Sequence, residues 1–454
     1  MTSFIPVPSN PQTEAGDSPG ILETLMLQRE QRIAPGALVR SSLNKAHASQ
    51  AWLHAFTCVD RSWQEADVQD GPLAGIPIGV KDLMATADMV TTNGSAIYAD
   101  QVPATDAWVV SRLRSLGAVV AGKTVTTEFA WRQPGSTRNP WNLAHTPGGS
   151  SSGSAAAVAA GIVPAALGTQ TFGSVIRPAA FCGVVGMKPS YGAVARTGVH
   201  PLSGSLDHVG VFARSVSDAG YLLSWMLGTD AGDPHGMPVP AFSVSPESGV
   251  IPCDRPRLAL MHTAFFDRAS VEQQQLLALS AAKLQDAGAV VETLELPAEF
   301  DGIWTDTMTL LAAEAAVIYG PLCELHGDRI STHIHQLVAH GRSLNAPTYL
   351  LAQKRQRWLR AALDNVLQNY DAVLTLPAAG EAPHGLADTG DAVFCTPWSF
   401  LGVPAIALPA GLSGNGLPLG VQLVATYRND LQLLRVARWC ELALGYAQRC
   451  PQRY

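Results

Sequence analysis

The sequence is poor in charge and contains no long basic segment. Charged residues make up 15% of its 454 residues, against 47% hydrophobic residues. A chain of this length and composition has enough apolar side chains to bury a large core. The net charge is −7, and proteins that bind nucleic acid carry a positively charged surface, so we expect no nucleic-acid partner.

The cysteines are too scattered for a disulfide framework or a zinc site. Seven of them lie between Cys58 and Cys450, and no two form a Cys-x-x-Cys pair. Small secreted domains and zinc sites carry closely and regularly spaced cysteines. We therefore expect a protein of the reducing cytoplasm that holds no metal.

Long hydrophobic runs are also missing. The longest, residues 155–167, is broken by Gly161 and Pro164 and is shorter than the roughly 20 residues that a membrane-spanning helix needs. Residues 1–20 show no basic segment followed by an apolar one, and their composition predicts a flexible N-terminal arm. We expect no contact with a membrane.

Helical and strand patterns alternate along the remaining chain. Residues 109–116 predict a helix and residues 118–121 a buried strand. The same order returns at residues 271–287 and 289–294, and residues 303–365 predict mainly helices. This α/β pattern is typical of a mostly parallel, twisted mixed sheet covered on both faces by helices.

Proline and glycine mark strand ends and one long connection. Residues 371–377 and 405–409 predict central strands that end at a proline, where the missing N–H no longer interrupts the ladder, and residues 419–424 predict a third strand. Residues 227–256 are rich in Pro, Gly, Ser and Asp, which predicts a surface connection. We interpret residues 21–454 as a single domain whose two parts this connection joins.

Two glycine-rich loops carry a concentration of serine. The first reads Gly-Gly-Ser-Ser-Ser-Gly-Ser over residues 148–154, and the second places Ser174 directly after Gly173. Tight turns of this kind direct several N–H groups toward one point, as an oxyanion requires. Because a serine hydroxyl attacks only after a base removes its proton, the loops predict a hydrolase with a separate base.

Lys81 is the favoured base. It ends the apolar segment 75–80, and a lysine at the end of a buried strand is partly desolvated, which lowers its pKa. None of the twelve histidines lies in a motif that would direct it at the serine loops. The alternative is that Lys81 is a strand-end charge paired with Asp82 or Glu128.

The first loop also matches two other motifs, which we discount. Residues 149–153 satisfy G-x-S-x-G with Ser151 as nucleophile, but that motif requires a preceding strand, and residues 138–147 are polar and contain two prolines. A phosphate-binding loop would end in Gly-Lys-Ser/Thr, which this loop lacks.

Taken together, these motifs resemble the amidase signature family. Lys81, the run 148–154 and the run Gly-Ser-Val-Ile-Arg-Pro from Gly173 occur in the family's order, and Ser150 precedes Ser174 by 24 residues, as in the family. The sequences of these motifs are most similar to those of free-standing amidases of the malonamidase type. The resemblance covers roughly residues 21–445 and implies the amidase signature fold without a metal or an organic cofactor.

The resemblance also assigns roles. It makes Ser174 the nucleophile, Lys81 the base, and Ser150 a bridging serine that follows a cis peptide bond. Lys81 would take a proton through Ser150 from Ser174, and Ser150 would return a proton to the departing ammonia or amine. The oxyanion hole would consist of the N–H groups of Thr171, Phe172, Gly173 and Ser174.

Beside the predicted nucleophile, the sequence departs from the commonest form of the family's motif. Many members read Asp-Thr-Gly-Gly-Ser-Ile-Arg, whereas this chain reads Gln-Thr-Phe-Gly-Ser-Val-Ile-Arg from Gln170. Phe172 in place of glycine predicts a narrowed pocket. Arg177 stands one residue later, and in an extended segment this turns its side chain to the other face. We expect Arg177 to form either a bidentate contact with a substrate carboxylate or an internal ion pair.

These features predict a hydrolase that cleaves the amide of a small carboxylic acid, with a dicarboxylic half-amide favoured if Arg177 binds substrate. Ser151 and Trp398 are further candidate substrate contacts, and Trp398 is equally well interpreted as a core residue. The alternative is the amidase subunit of a tRNA-dependent amidotransferase, which releases ammonia from glutamine or asparagine and passes it to a partner subunit. The intact Lys81, Ser150 and Ser174 disfavour a non-catalytic scaffold. The resemblance also allows a homodimer.

Overall fold

Eleven strands form one mixed sheet in the computed structural model, which describes residues 18–451. The predicted N-terminal arm lies outside the described residues up to residue 17. The strands are β1 Phe56–Val59, β2 Pro77–Lys81, β3 Val119–Thr124, β4 Ala165–Gln170, β5 Val185–Lys188, β6 His208–Ala213, β7 Arg257–Leu260, β8 Val290–Thr293, β9 Ala372–Thr375, β10 Ala405–Leu412 and β11 Pro418–Val424. The helices are α1 Ile21–Arg29, α2 Ala37–Ser49, α3 Trp108–Ser115, α4 Ser152–Ala159, α5 Ile176–Cys182, α6 Val216–Met226, α7 Val271–Asp286, α8 Ile303–His326, α9 Thr332–Ser343, α10 Ala346–Val366, α11 Thr396–Phe400 and α12 Asp430–Leu444.

The sheet contains two parallel blocks joined by antiparallel strands. Its order is β1-β3-β2-β4-β6-β5-β10-β11-β9-β7-β8. Parallel pairing joins β3, β2 and β4 in one block and β9, β7 and β8 in the other. The strands between the blocks pair in antiparallel fashion. The predicted α/β class with a mixed sheet is confirmed.

Consecutive residues of the central strands face opposite layers of the core. Ala165 and Leu167 of β4 belong to one buried cluster, whereas Ala166 between them belongs to the other. Because side chains alternate across a strand, each face of the sheet carries its own apolar layer. Helices α6, α7 and α12 cover one layer, and α4, α5, α8 and α10 cover the other. The prediction of helices on both faces is confirmed.

The helices and strands predicted from periodicity are present, with shifted ends. The helix and strand predicted at residues 109–121 are α3 and β3, and those predicted at residues 271–294 are α7 and β8. The region 303–365 consists of α8, α9 and α10. Between α6 and β7 the described chain contains no helix or strand longer than an isolated bridge. All seven cysteines are free thiols.

The prediction that a strand ends at Pro409 is wrong, because β10 continues to Leu412. β10 pairs with β5 only from Ala405 to Ala407, so no described strand pairs with that edge of β10 at Pro409. A bulge between Pro409 and Gly411 also shifts the pairing with β11. A residue without an N–H is tolerated at such a position.

α8 is the longest helix of the described chain. By length and composition alone, the segment Ala298–Arg329, which contains an 18-residue window with a mean hydropathy of 1.4, is long and apolar enough to cross a membrane. In this fold the helix packs against α9 and α10. Leu310, Leu311 and Tyr319 on its inner side are fully buried, so the fold itself uses this apolar surface.

Candidate active site

The carboxyl ends of β2 and β4 bring Lys81 and Thr169 together. The strands are parallel neighbours with Val80 opposite Leu167, so both chains leave the sheet at the same edge. Lys81 is the last residue of β2 and is fully buried. Its Nζ donates one hydrogen bond of 2.7 Å to Ser150 Oγ and another of 2.7 Å to Thr169 Oγ1.

Lys81 does not form the ion pair that was the alternative interpretation. Its hydrogen bonds go to hydroxyl and carbonyl oxygens and not to a carboxylate. Asp82 instead pairs with Lys123 at 3.2 Å, and Glu128 accepts a hydrogen bond of 2.7 Å from Ser95 Oγ. That alternative is therefore wrong.

The surroundings of Lys81 favour the neutral amine. Burial lowers the pKa of Lys81 well below its ordinary value, and the negative charge of Asp207 opposes this shift only in part. A buried cation without an adjacent counter-ion loses hydration that nothing replaces. A neutral amine hydrogen-bonded to a serine hydroxyl can accept that hydroxyl's proton.

Ser150 lies in the small-residue loop before α4. The Gly149–Ser150 peptide bond is cis, in agreement with the family resemblance. Gly153, in the first turn of α4, leaves no room for a side chain, because a Cβ there would lie 2.1 Å from the carbonyl oxygen of Ala55. The lack of side chains lets the loop approach the sheet edge closely enough for Ser150 to contact Lys81.

The second loop is organised by Gln170, the last residue of β4. Its Oε1 accepts hydrogen bonds from the N–H groups of Val175 at 2.8 Å and Ile176 at 3.0 Å. Its Nε2 donates a hydrogen bond of 2.9 Å to Ser399 Oγ. The glutamine side chain therefore holds the C-terminal end of the turn that carries Ser174 directly, and it contacts the Phe172 carbonyl through Ser399.

The N–H groups inside this turn are unused within the described part of the chain. The four backbone N–H groups of residues 171–174 donate no hydrogen bond to another described residue. The carbonyl oxygen of Phe172, in contrast, accepts a hydrogen bond from Ser399 Oγ. Unpaired N–H groups that share one turn can stabilise the negative charge that develops on an oxygen atom. They belong to the residues predicted to form the oxyanion hole, Thr171, Phe172, Gly173 and Ser174.

Ser150 and Ser174 line the same cavity of about 520 Å³, here called the serine cavity. Phe172, Trp131 and Trp304 form an aromatic wall, with the Phe172 ring 5.8 Å from that of Trp131 and 5.7 Å from that of Trp304. The predicted aromatic ring beside the site is thus present. Among residues 18–451, no group of three or more His, Cys, Asp or Glu side chains is arranged to hold a metal ion.

Arg177 lies on the wall of the serine cavity, but not for the predicted reason. The predicted extended segment is wrong, because residues Ile176–Cys182 form α5. A guanidinium N–H of Arg177 donates a hydrogen bond of 2.6 Å to the carbonyl oxygen of Gly149 and one of 3.3 Å to Thr389 Oγ1. These bonds replace the internal ion pair considered above, and Nε has no partner in the described chain. Arg177 therefore anchors the residue that precedes Ser150.

Two predicted substrate contacts, Ser151 and Trp398, lie away from this wall. Ser151 Oγ donates to the carbonyl oxygen of Thr169 at 3.2 Å and accepts from its N–H at 3.3 Å, which joins the loop to β4. Trp398 is fully buried among the core residues beside α8. Neither residue is part of the cavity lining, so the structure gives both a structural role.

Several residues of the site were not identified from the sequence. Thr169 binds Lys81, Gln170 holds the nucleophile turn, and Trp131 and Trp304 complete the aromatic wall. The departure from aspartate at Gln170 was a usable signal, since it falls beside the nucleophile. The two tryptophans lie outside the two loops, in segments without a motif.

The sequence and fold are similar to those of known amidases. The family profile described as Amidase matches residues 37–434. A glutamyl-tRNA(Gln) amidotransferase subunit of Halothermothrix orenii is 32% identical over 470 residues, covering 94% of this chain and 97% of that protein. The solved structure of 6-aminohexanoate cyclic dimer hydrolase with substrate has a TM-score of 0.84 and 26% identity, covering 95% of this chain and 98% of that one. The peptide amidase PAM in complex with chymostatin has a TM-score of 0.83 and 28% identity, covering 95% and 99%.

Proposed function

Since the chain belongs to the amidase family, we propose that it hydrolyses the amide of a small carboxylic acid through an acyl-serine intermediate. The observation that carries this proposal is the buried hydrogen bond of 2.7 Å between Lys81 Nζ and Ser150 Oγ, beside the cavity that Ser150 shares with Ser174. A base, a bridging hydroxyl and a second hydroxyl in this order can remove the proton of the nucleophile.

The reaction begins when Ser174 Oγ attacks the amide carbonyl carbon. Its proton passes to Ser150 Oγ, and the proton of Ser150 passes to neutral Lys81. The carbonyl oxygen becomes negative and binds N–H groups of residues 171–174, and the loss of one such donor typically costs about 3 to 4 kcal/mol of transition-state stabilisation. Ser150 then gives a proton to the leaving nitrogen as the C–N bond breaks, and its own proton is replaced from Lys81. Water attacks the acyl-serine by the same relay.

The serine cavity suits a small acyl group, one side of which lies against the flat aromatic wall. Phe172 and the two tryptophans exclude a bulky acyl group on one side, and Arg177 on the lining has a buried guanidinium Nε without a partner in the described chain. These features support amides of short acids, including half-amides with a free carboxylate. The test is ammonia or amine release by the purified chain on a panel of short aliphatic, aromatic and carboxylated amides plus glutamine. Failure to hydrolyse any of them would overturn the proposal.

The second candidate is the amidase subunit of a tRNA-dependent amidotransferase. It is favoured by the relative from Halothermothrix orenii, an amidotransferase component that matches 94% of this chain. This candidate predicts ammonia release only from glutamine or asparagine, or no release until partner subunits are added. Turnover of a non-glutamine amide by the isolated chain would contradict it.

We predict that Gln170→Leu lowers kcat about 10- to 100-fold with little change in KM. Leucine cannot accept the N–H groups of Val175 and Ile176, so the turn that presents Ser174 loses its fixed geometry, and small displacements of a reacting group cost rate. Gln170→Glu retains an acceptor and should restore much of the loss. Equal kcat for Gln170→Leu and the unsubstituted chain would show that Gln170 does not position the nucleophile.

We predict that Phe172→Gly shifts selectivity toward bulky acyl groups. The substitution removes a ring of the aromatic wall and keeps the backbone N–H, so kcat/KM for a benzamide-sized amide should rise about tenfold relative to butyramide. Phe172→Leu, which keeps most of the bulk, is the matched control. An unchanged ratio of the two kcat/KM values in Phe172→Gly would mean that Phe172 does not limit the acyl group.

A further inference from the structure

A second cavity of about 370 Å³ adjoins the serine cavity. It is called here the second cavity, and its wall includes Thr169, Asp207, His208 and Ile318. Ala130, Thr171 and Leu202 line both cavities. These three residues therefore lie between a group bound at Ser174 and a group bound in the second cavity.

The proposed proton relay also connects the two cavities. Lys81 Nζ donates to Ser150 Oγ, which lines the serine cavity, and to Thr169 Oγ1, which belongs to a residue lining the second cavity. The leaving nitrogen must lie close to Ser150 Oγ to receive its proton. A substituent on that nitrogen therefore lies on the side of the serine cavity nearest to Lys81.

His208, a residue of the second cavity's wall, has a buried and unpaired hydrogen-bond acceptor, its Nε2 atom. The side chain is only 2% exposed, and its Nδ1 lies 2.6 Å from the carbonyl oxygen of Leu206 and 3.2 Å from that of Gln170. Because carbonyl oxygens only accept, Nδ1 carries the proton and Nε2 has a free lone pair. Burial and the charge of Lys188 lower the pKa of His208 well below its ordinary value. Nε2 has no partner in the described chain, an arrangement that a ligand N–H would satisfy.

Asp207 adds a carboxylate to the same wall. It accepts hydrogen bonds from Thr171 Oγ1 at 2.6 Å and from the N–H groups of Leu202 at 2.8 Å and Ser203 at 2.9 Å. A carboxylate oxygen accepts more than one hydrogen bond, so Asp207 retains capacity for a ligand donor.

The remainder of the wall suits an amine or ammonium with an alkyl group better than an anion. Arg196, the guanidinium on this wall, is already paired with Asp233 at 3.3 Å and donates to the carbonyl oxygen of Gly204 at 2.9 Å. The acceptors of Asp207 and His208 match an amine or ammonium, and an aliphatic surface matches an alkyl group. His200 and His235 also line the cavity, and each neutral imidazole adds one N–H donor. The aliphatic side chains are Leu83, Val199, Pro201, Val209 and Ile318.

We propose that the second cavity binds the alkylamine released when the C–N bond breaks, with its N–H groups on His208 Nε2 and Asp207 and its alkyl group on the aliphatic wall. The electron pair of the broken bond stays on nitrogen, which takes the proton of Ser150. This inference rests on the proposed function and extends it, because it makes N-alkyl amides, and not only primary amides, the substrates.

The binding test uses n-butylamine and calorimetry on the full chain. We expect saturable binding at one site, weakened at least tenfold by Ile318→Trp, which fills the cavity, and by His208→Leu, which removes the acceptor. Val317→Trp is the matched control, since Val317 is the neighbouring residue of α8 and is 78% exposed; it should leave binding unchanged. Thermal unfolding of each variant verifies folding, and His208→Leu decides if Ile318→Trp does not fold.

The kinetic test compares N-butylacetamide with acetamide. Ile318→Trp should lower the ratio of their kcat/KM values at least tenfold, and Val317→Trp should not change it. The assignment of the cavity would be overturned if butylamine did not bind saturably. It would also be overturned if Ile318→Trp and His208→Leu bound butylamine as tightly as the unsubstituted chain, even if both amides are hydrolysed. If the chain hydrolyses neither these amides nor the panel above, the proposed function fails, and with it the assignment to a leaving amine.

Discussion

Replacement of Ser174 by alanine is expected to lower kcat for amide hydrolysis at least about a thousandfold, because it removes the hydroxyl that we propose forms the acyl-enzyme. The oxyanion N–H groups are backbone atoms, so they remain in the variant. Ammonia or amine release measures the rate, and mass spectrometry of rapidly quenched samples detects the acyl adduct. The adduct should be present in the unsubstituted chain and absent from Ser174→Ala.

Ser111→Ala is the matched control for this experiment. Ser111 is an exposed serine of α3, so its replacement should change neither rate nor adduct. Full activity in Ser174→Ala would contradict its role as nucleophile. An adduct mapped to Ser150 would instead make that serine the attacking group.

Lys81→Met is expected to cause a loss of similar size while the protein remains as stable as before. The buried, neutral Lys81 amine has no carboxylate partner among the described residues, so an apolar side chain of similar length removes the base without leaving a charge unpaired. Lys123→Met is the informative comparison. It leaves the buried carboxylate of Asp82 without its partner at 3.2 Å, and it should lower the free energy of unfolding by about 3 to 5 kcal/mol.

Activity and chemical denaturation of the two variants separate these roles. An inactive but stable Lys81→Met and a destabilised Lys123→Met are expected. A strongly destabilised Lys81→Met would mean that Lys81 mainly supports the fold. Substantial activity in folded Lys81→Met would show that another group removes the proton of Ser174.

The pH dependence should follow from the lowered pKa of Lys81. Below its folded-state pKa the amine is protonated and cannot accept a proton, so kcat/KM should rise with pH through that pKa, well below the ordinary lysine value of 10.5. Between the two pKa values the unfolded chain binds the additional proton, so Lys81 makes stability increase with pH in this interval. Lys81→Met should lose both dependences. An acid limb that persists in its residual activity would assign the limb to another group.

The sequence by itself determined the features that depend on residues close together in the chain. Glycine and serine patterns identified the two loops, and an apolar segment ending in a cation identified Lys81 at the end of β2. Helical and strand periodicity gave the α/β class, because burial of one face acts on consecutive residues in a regular way. The roles of Ser150 and Ser174 as relay and nucleophile remain predictions.

Only the tertiary structure decided the features that depend on distant residues. The hydrogen bond from Gln170 to Ser399 spans 229 positions, and the aromatic wall brings together Trp131, Phe172 and Trp304 from three separate segments. Arg177 was misplaced because helix α5 begins one residue earlier, where Gln170 satisfies the first free N–H groups of the helix. Local sequence patterns carry no information on such contacts, since packing and hydrogen-bond satisfaction across the whole fold determine them.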